Sequence, residues 1–93
     1  MQEETTIFTA EEFGQRLKSL RKYHKVTQIE LSDRLDIDDG SLRRIESGRT
    51  NPTLQTISKI AQGLGTPLWV FFLPLQQFES FLTEQKKKEE IEH

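Results

Sequence analysis

Two adjacent arginines, Arg43 and Arg44, lie between Leu42 and Ile45 in the stretch DDGSLRRIESGRTNP. At the helical step of about 100° per residue, Leu42 and Ile45 set one face. Gly40, Arg43, Arg44 and Ser47 centre the opposite one. Paired outward guanidiniums suit phosphate oxygens or the O6 and N7 acceptors on the edge of guanine. Gly40 lets the start of that helix sit close to a backbone or a base. Ser47, Arg49, Thr50 and Asn51 continue into the next loop with hydroxyl, guanidinium and amide donors for phosphate. Gln28, at the start of the preceding helix, can point its amide to the same side. The amide-rich N-termini of the helices that begin at Gln28 and after Thr53 favour an anion as well.

Other chemistry finds no constellation to work with. His24 and His93 are isolated, and the serines have no partnered histidine and base, so neither acid–base nor nucleophilic catalysis is supported. With no cysteine there are no disulfides and no thiolate zinc sites, which fits a reducing compartment. No metal, cofactor or small-molecule ligand is expected, and the chain is not expected to be an enzyme. A chain of 93 residues makes one domain, and at this size only about 60% of the extended surface is buried, leaving little room for an enclosed catalytic pocket. The longest uncharged apolar run, Pro67 to Leu75, is nine residues with two prolines, against the roughly 20 that a spanning helix needs. The acidic start MQEETT carries no signal-peptide core. A cytoplasmic location is therefore expected, with no membrane partner.

The elements that must position these residues are marked by their caps. Thr9 with Glu12 forms a capping box, flanked by Phe8 and Phe13 as a hydrophobic staple. Phe13, Leu17 and Leu20 then recur on one face, predicting a helix to about Tyr23. Thr27 and Glu30 repeat the box, with Val26 and Leu31 as staple, for a second helix ending near Leu35. Asp38 caps a third, stapled by Ile37 and Leu42 and ended by Gly48 past Ser47. Thr53 caps a fourth whose Leu54, Ile57, Ile60, Ala61 and Leu64 face inward, stopped by Gly63 and Gly65. Thr66-Pro67 starts a fifth element with proline at its first helical position. Pro74 interrupts it, and Leu75, Phe78, Phe81 and Leu82 continue at helical spacing. Beyond Glu84 the polar QKKKEEIEH reads as a frayed tail. No strand pattern appears, and the chain reads as all-α.

Charge is segregated along this framework. The whole chain is net −2, which argues against a strongly basic nucleic-acid coat protein. Residues 1–15 hold four acids and no base, whereas residues 16–25 hold five bases, Arg16, Lys18, Arg21, Lys22 and Lys25, and no acid. From Arg16 to Lys59 there are ten bases against six acids. A mildly basic centre thus lies between two acidic ends.

The helices Gln28–Leu35 and Asp39–Ser47 are separated only by Asp36-Ile37-Asp38, the spacing of a helix-turn-helix. Asp36 sits in the turn, where it tolerates a left-handed backbone better than most residues. The stretch FGQRLKSLRKYHKVTQIELSDRLDIDDGSLRRIESGRTNPTLQTISKIAQGLG resembles the phage-repressor, Cro and xenobiotic-response-element (XRE) family of helix-turn-helix regulators. TQIEL, IESGRTNP and IAQGLG carry the likeness in register, over roughly Phe13 to Phe72. The resemblance implies a five-helix, lambda-repressor-like DNA-binding domain with a helical C-terminal extension. It also implies that Gln28, Gly40, Ser41 and Arg44 contact bases or their flanking phosphates. Thr27, Ser47, Arg49, Thr50 and Asn51 fall on its phosphate-contact positions, and Arg21 with Glu46 on its buried charged pair. Asp39 departs from the pattern, standing where the family often has a polar or basic contact residue. With Asp36 and Asp38 it puts three acids near the expected DNA surface. Asp39 either repels phosphate or accepts a hydrogen bond from cytosine N4.

Trp69, Phe71, Phe72, Phe78 and Phe81 crowd thirteen residues, more than a five-helix core requires. A surplus of this kind marks an association surface, and the resemblance points to homodimerisation through it. The expected layout is an N-terminal arm (1–8), a DNA-binding domain (9–73), a dimerising C-terminal helix (74–85) and a polar tail (86–93). The expected function is a homodimeric regulator, a repressor, that reads palindromic double-stranded DNA in the major groove. An antitoxin-type subunit with a protein partner, a restriction–modification controller and a pure interaction module are the alternatives.

Overall fold

The computed structural model describes residues 7–92, with side chains described as far as residue 84. The expected arm therefore lies outside the described residues except for Ile7 and Phe8, and so does His93. Helix α1 spans Ala10–Tyr23, α2 Gln28–Leu35, α3 Asp39–Glu46 and α4 Leu54–Leu64. A 3-10 turn, Leu68–Phe72, then leads to α5, Leu75–Glu92. No strand occurs among the described residues.

Each of the first four helices starts where a side-chain oxygen takes up an orphan amide. Thr9, Thr27, Asp38 and Thr53 accept from the N–H of Glu12, Glu30, Ser41 and Thr56 at 2.8–3.1 Å. At Thr27 the box is complete, with the Glu30 carboxylate accepting from the Thr27 amide at 3.1 Å. The helices stop at left-handed residues: Asp36 (φ 55°) after α2, Gly48 (φ 79°) after α3 and Gly65 (φ 69°) after α4. Lys25 (φ 59°) reverses the chain after α1 in the same conformation, which no feature of the sequence marks.

α1 packs across α3, and α2 packs against both α3 and α4. Phe13, Leu17, Leu20, Leu31, Leu42, Ile60, Val70 and Phe71 form the fully buried centre. Gly14 allows the first crossing. A Cβ built there would lie 2.5 Å from the carbonyl oxygens of both Ile45 and Glu46. Gly63 does not stop α4, as expected from sequence; it sits inside the helix against Leu35 and Leu31, and Gly65 ends it. Leu54, expected to face inward, is exposed because the first turn of α4 projects beyond the core.

The C-terminal third departs most from expectation. Pro67 precedes a 3-10 turn rather than opening an α-helix, and Thr66 is buried beside His24, its Oγ1 3.0 Å from the ring Nε2. Phe71 stacks on Phe13 with ring centroids 5.1 Å apart. Phe71 and Phe78 are 0% and 3% exposed, so these two belong to the core of the single chain and not to an association surface. Arg16 explains their placement. Its Nη1 donates to the carbonyls of Phe71 (3.0 Å) and Leu73, and its Nη2 to the Glu12 carboxylate at 2.9 Å. The guanidinium lies 5.0 Å from the ring centroids of both Phe8 and Phe78. A residue counted in the basic centre of the sequence is instead an internal clasp. α5 also runs through the segment expected to fray, as its Lys- and Glu-rich sequence favours.

Helix propensity alone predicts that Gly14→Ala stabilises the fold, by about 0.5–1 kcal/mol. The α1–α3 crossing predicts the reverse, a loss of about 1–3 kcal/mol as the helices are forced apart. Gly63→Ala meets a movable leucine methyl at 3.0 Å and should cost much less. Urea denaturation of the two variants checks both the sign and the order.

Candidate nucleic-acid interface

The outward face of α3 is fixed by what its inward face must do. Leu42 and Ile45 are buried, which turns Arg43 and Arg44 to solvent. Glu46, the last residue of α3, is buried too and needs neutralising. Arg21 from α1 supplies a two-point contact, Nε to Oε2 at 2.6 Å and Nη2 to Oε1 at 3.1 Å. The remaining Arg21 nitrogen donates to the Val26 carbonyl at 2.9 Å, and Gln28 Nε2 donates to Glu46 Oε1 at 3.0 Å. One carboxylate thus ties together α1, the turn after it, the start of α2 and the end of α3.

Above this network lies an open depression lined by Gln28, Gly40, Arg43, Arg44, Ser47 and Arg49, residues that sequence reasoning singled out. Lys18 of α1 lines it as well and was missed. A second depression beside it holds Thr27 and Asp39 together with Lys22 and Lys25. Lys18 and Lys22 stand at i and i+4 on α1, a spacing the sequence displays, and Lys25 joins them from the left-handed turn after the helix. Thr50 and Asn51 are exposed in the loop that follows, outside both depressions.

Several predicted contact groups already hold partners within the chain. The Gln28 amide nitrogen is committed to Glu46, and the Ser47 hydroxyl donates to the Arg44 carbonyl at 3.1 Å. The Thr27 hydroxyl caps α2. Arg43 Nη1 donates to Asp39 Oδ2 at 2.9 Å, and Arg44 Nη2 to Ser41 Oγ at 3.1 Å. Ser41 in turn donates its hydroxyl to Asp38 Oδ2 at 2.9 Å. The Ser41 backbone amide holds the Asp38 carboxyl below the usual aspartate range, and the Thr27 amide does the same for Glu30. Both carboxylates therefore stay ionised to lower pH than a free carboxyl. Asp36 closes the turn through its backbone amide, whereas the Asp38 carboxylate caps α3. Asp39 is the acid of the three that forms an ion pair, with Arg43.

A family model described as helix-turn-helix matches residues 17–68, more than half of the chain. The chain belongs to the helix-turn-helix regulators of phage-repressor, Cro and XRE type. It is a DNA-binding transcriptional regulator. Over 52 residues, 56% of its length, the regulator is 40% identical to the immunity repressor protein of Bacillus phage phi105, a match that spans 36% of that repressor. Over 66 residues, 70% of its length, it is 33% identical to the control protein C.MunI of a Mycoplasma species, and covers 89% of it. The crystal structure of the restriction-modification controller protein C.AhdI from Aeromonas hydrophila superposes with a TM-score of 0.62 at 30% identity, over 63% of this chain and 89% of that one. No helix among the described residues is long and apolar enough to cross a membrane.

Removing one partner of the buried pair leaves the other charge uncompensated. Glu46→Ala should therefore cost about 3–5 kcal/mol of stability. The apolar double variant Arg21→Met with Glu46→Leu should lose far less, because neither charge is stranded. Chemical denaturation of the three proteins separates a geometric role from a stabilising one.

Proposed function

We propose that the regulator is a homodimeric repressor that reads a two-fold operator with α3 in the major groove. The observation that carries this reading is the open depression beside α3, where Arg43, Arg44, Arg49 and Lys18 converge. In this arrangement Gln28, Gly40, Ser41, Arg43 and Arg44 meet base edges or the phosphates beside them. Thr27, Ser47, Arg49, Thr50 and Asn51 grip the backbone, with α2 lying across it. Two-fold symmetry sets half-sites about 34 Å apart, one helical turn. Occupying a promoter that overlaps the operator represses transcription by exclusion, without chemistry by the protein. Residues 9–73 form the DNA-binding unit, with α5 docked on it, and the protein acts in the cytoplasm.

The apolar surface around the C-terminal segment supports the dimer. Trp69 and Phe72 are 60% and 45% exposed, and Leu75 is exposed beside them in sequence. Phe81 is half-buried, with its ring 6.4 Å from that of Trp69. The interface is therefore assigned to Trp69, Phe72, Leu75 and the outer edge of Phe81. A second reading, a restriction–modification controller, is favoured by the likeness to C.AhdI, a protein of that description.

Binding-site selection on randomised duplex DNA should yield a palindrome, with affinity falling steeply as salt rises. Uniform weak binding to every duplex would overturn the reading. On the selected site Arg44→Ala should lose about 1–3 kcal/mol and relax preference at one position, whereas Arg49→Ala should weaken all sequences alike. Equal losses for Arg44→Ala on matched and mismatched DNA would remove it from base reading. Sedimentation of Trp69→Asp combined with Phe72→Asp should give a folded monomer; an unchanged dimer would move the interface elsewhere.

A further inference from the structure

Asp39 enters from the sequence as a repeller of phosphate or a reader of cytosine, and its bond to Arg43 adds a third role. Its carboxylate accepts from Arg43 Nη1 at 2.9 Å across one turn of α3, with side chains 48% and 59% exposed. An exposed i, i+4 pair contributes little to folding. What it does fix is the direction of a long side chain. We infer that Asp39 is a positioning residue that presets Arg43 for a two-acceptor base edge, a guanine, and thereby sets specificity at that base pair. The inference rests on the DNA-reading function proposed above.

Three further observations point the same way. Binding through Nη1 leaves Nε and Nη2, which form one edge of the guanidinium, free for two parallel hydrogen bonds to O6 and N7. Arg44 is held by a parallel device, its Nη2 on Ser41 and Ser41 on Asp38. The two guanidiniums also converge over Gly40. A Cβ at that residue would lie 3.5 Å from Arg44 Nη1 and 3.8 Å from Arg43 Nη2. Successive residues on a helix diverge by about 100°, so two neighbouring cations come together only if something holds them there. Asp38 and Asp39 supply both the hold and the countercharge, and Gly40 supplies the space. The same acids oppose the phosphate backbone on every sequence alike. They lower affinity for unrelated DNA while sharpening the choice of base, which is how repulsive elements produce specificity.

The experiment uses the full chain and the duplex selected above, together with its single-base-pair variants and one unrelated duplex. Affinities are measured for the wild type, Asp39→Ala, Asp39→Asn, Arg43→Ala and the double variant Asp39→Ala with Arg43→Ala. Thermal melts confirm that each variant is folded. Asp39→Ala should reduce discrimination about tenfold at the base pair that Arg43→Ala also relaxes, while binding the unrelated duplex more tightly than wild type does. Asp39→Asn, which keeps an acceptor without the charge, should fall between. The double variant should discriminate at that position no worse than Arg43→Ala alone, as expected for two residues acting as one unit. Relaxation at a different base pair would overturn the inference by making Asp39 a reader itself. Unchanged discrimination with uniformly tighter binding would overturn it by reducing Asp39 to a repelling charge. A wild-type protein with no preferred duplex would overturn the proposed function, and this inference with it. In every other outcome that function stands whatever becomes of Asp39.

Discussion

Burying Glu46 at the end of α3 creates a carboxylate that must be neutralised and hydrogen-bonded where it lies. Arg21 is the group that reaches it, and the planar fork of a guanidinium fits a carboxylate in one relative orientation. Satisfying that contact fixes how far α3 is rotated about its own axis. Arg44 and Arg43 stand two and three residues before Glu46, so their outward direction follows from the same rotation. Gly14 makes the contact possible by letting α1 approach the carbonyls of Ile45 and Glu46. Gln28 extends the constraint to α2 by donating to the same carboxylate. The angle between the two helices of the motif is thus held by a polar network as well as by Leu31, Leu35, Leu42 and Ile45 packed beneath it.

α1 carries a second buried arginine, and its position gives the helix two roles. Arg16 and Arg21 are five residues apart, about 140° round the helix at 100° per residue. One faces α3; the other faces the C-terminal segment and holds the carbonyls of Phe71 and Leu73. Ring faces of Phe8 and Phe78 cover its guanidinium, offering a cation a favourable quadrupole where water is excluded. α1 therefore connects the segment bearing Trp69 and Phe72 to the helix bearing Arg43 and Arg44. Each connection is made by a charged group that is costly to bury and more costly to strand.

Legibility from sequence tracks the range over which each feature is determined. The caps at Thr9, Thr27, Asp38 and Thr53 are settled within three residues, and all four stand where the sequence places them. So does the left-handed turn at Asp36. The α3 face that turns Arg43 and Arg44 outward follows from local periodicity. Arg16 is different: Glu12 at i−4 marks only a local ion pair on a helix face. Its carbonyl partners are 55 and 57 residues away, and only the folded-back C-terminal segment brings them in. Phe71 and Phe78 were surplus aromatics for the same reason: the space they fill is made by α1. Gly63 read as a helix stop because close approach to α2 cannot be seen from α4 alone. Lys18 escaped notice as a site residue because it reaches the depression from a different helix.

The net charge of −2 takes on a different meaning once the bases are sorted by where they go. Arg16 and Arg21 are consumed inside the fold, and Arg34 is turned to the Gly63 carbonyl at 3.0 Å. Lys18, Lys22, Lys25, Arg43, Arg44 and Arg49 remain around the two depressions by α3. Against these stand Asp38 and Asp39, both bonded to groups on α3 itself. Six cations facing two acids attract every duplex alike, since non-specific affinity scales with the number of phosphates neutralised and carries no sequence information. Discrimination must then come from where a few guanidiniums point. Direction, unlike net charge, is what α1, Gly14 and the buried Arg21–Glu46 pair are arranged to hold.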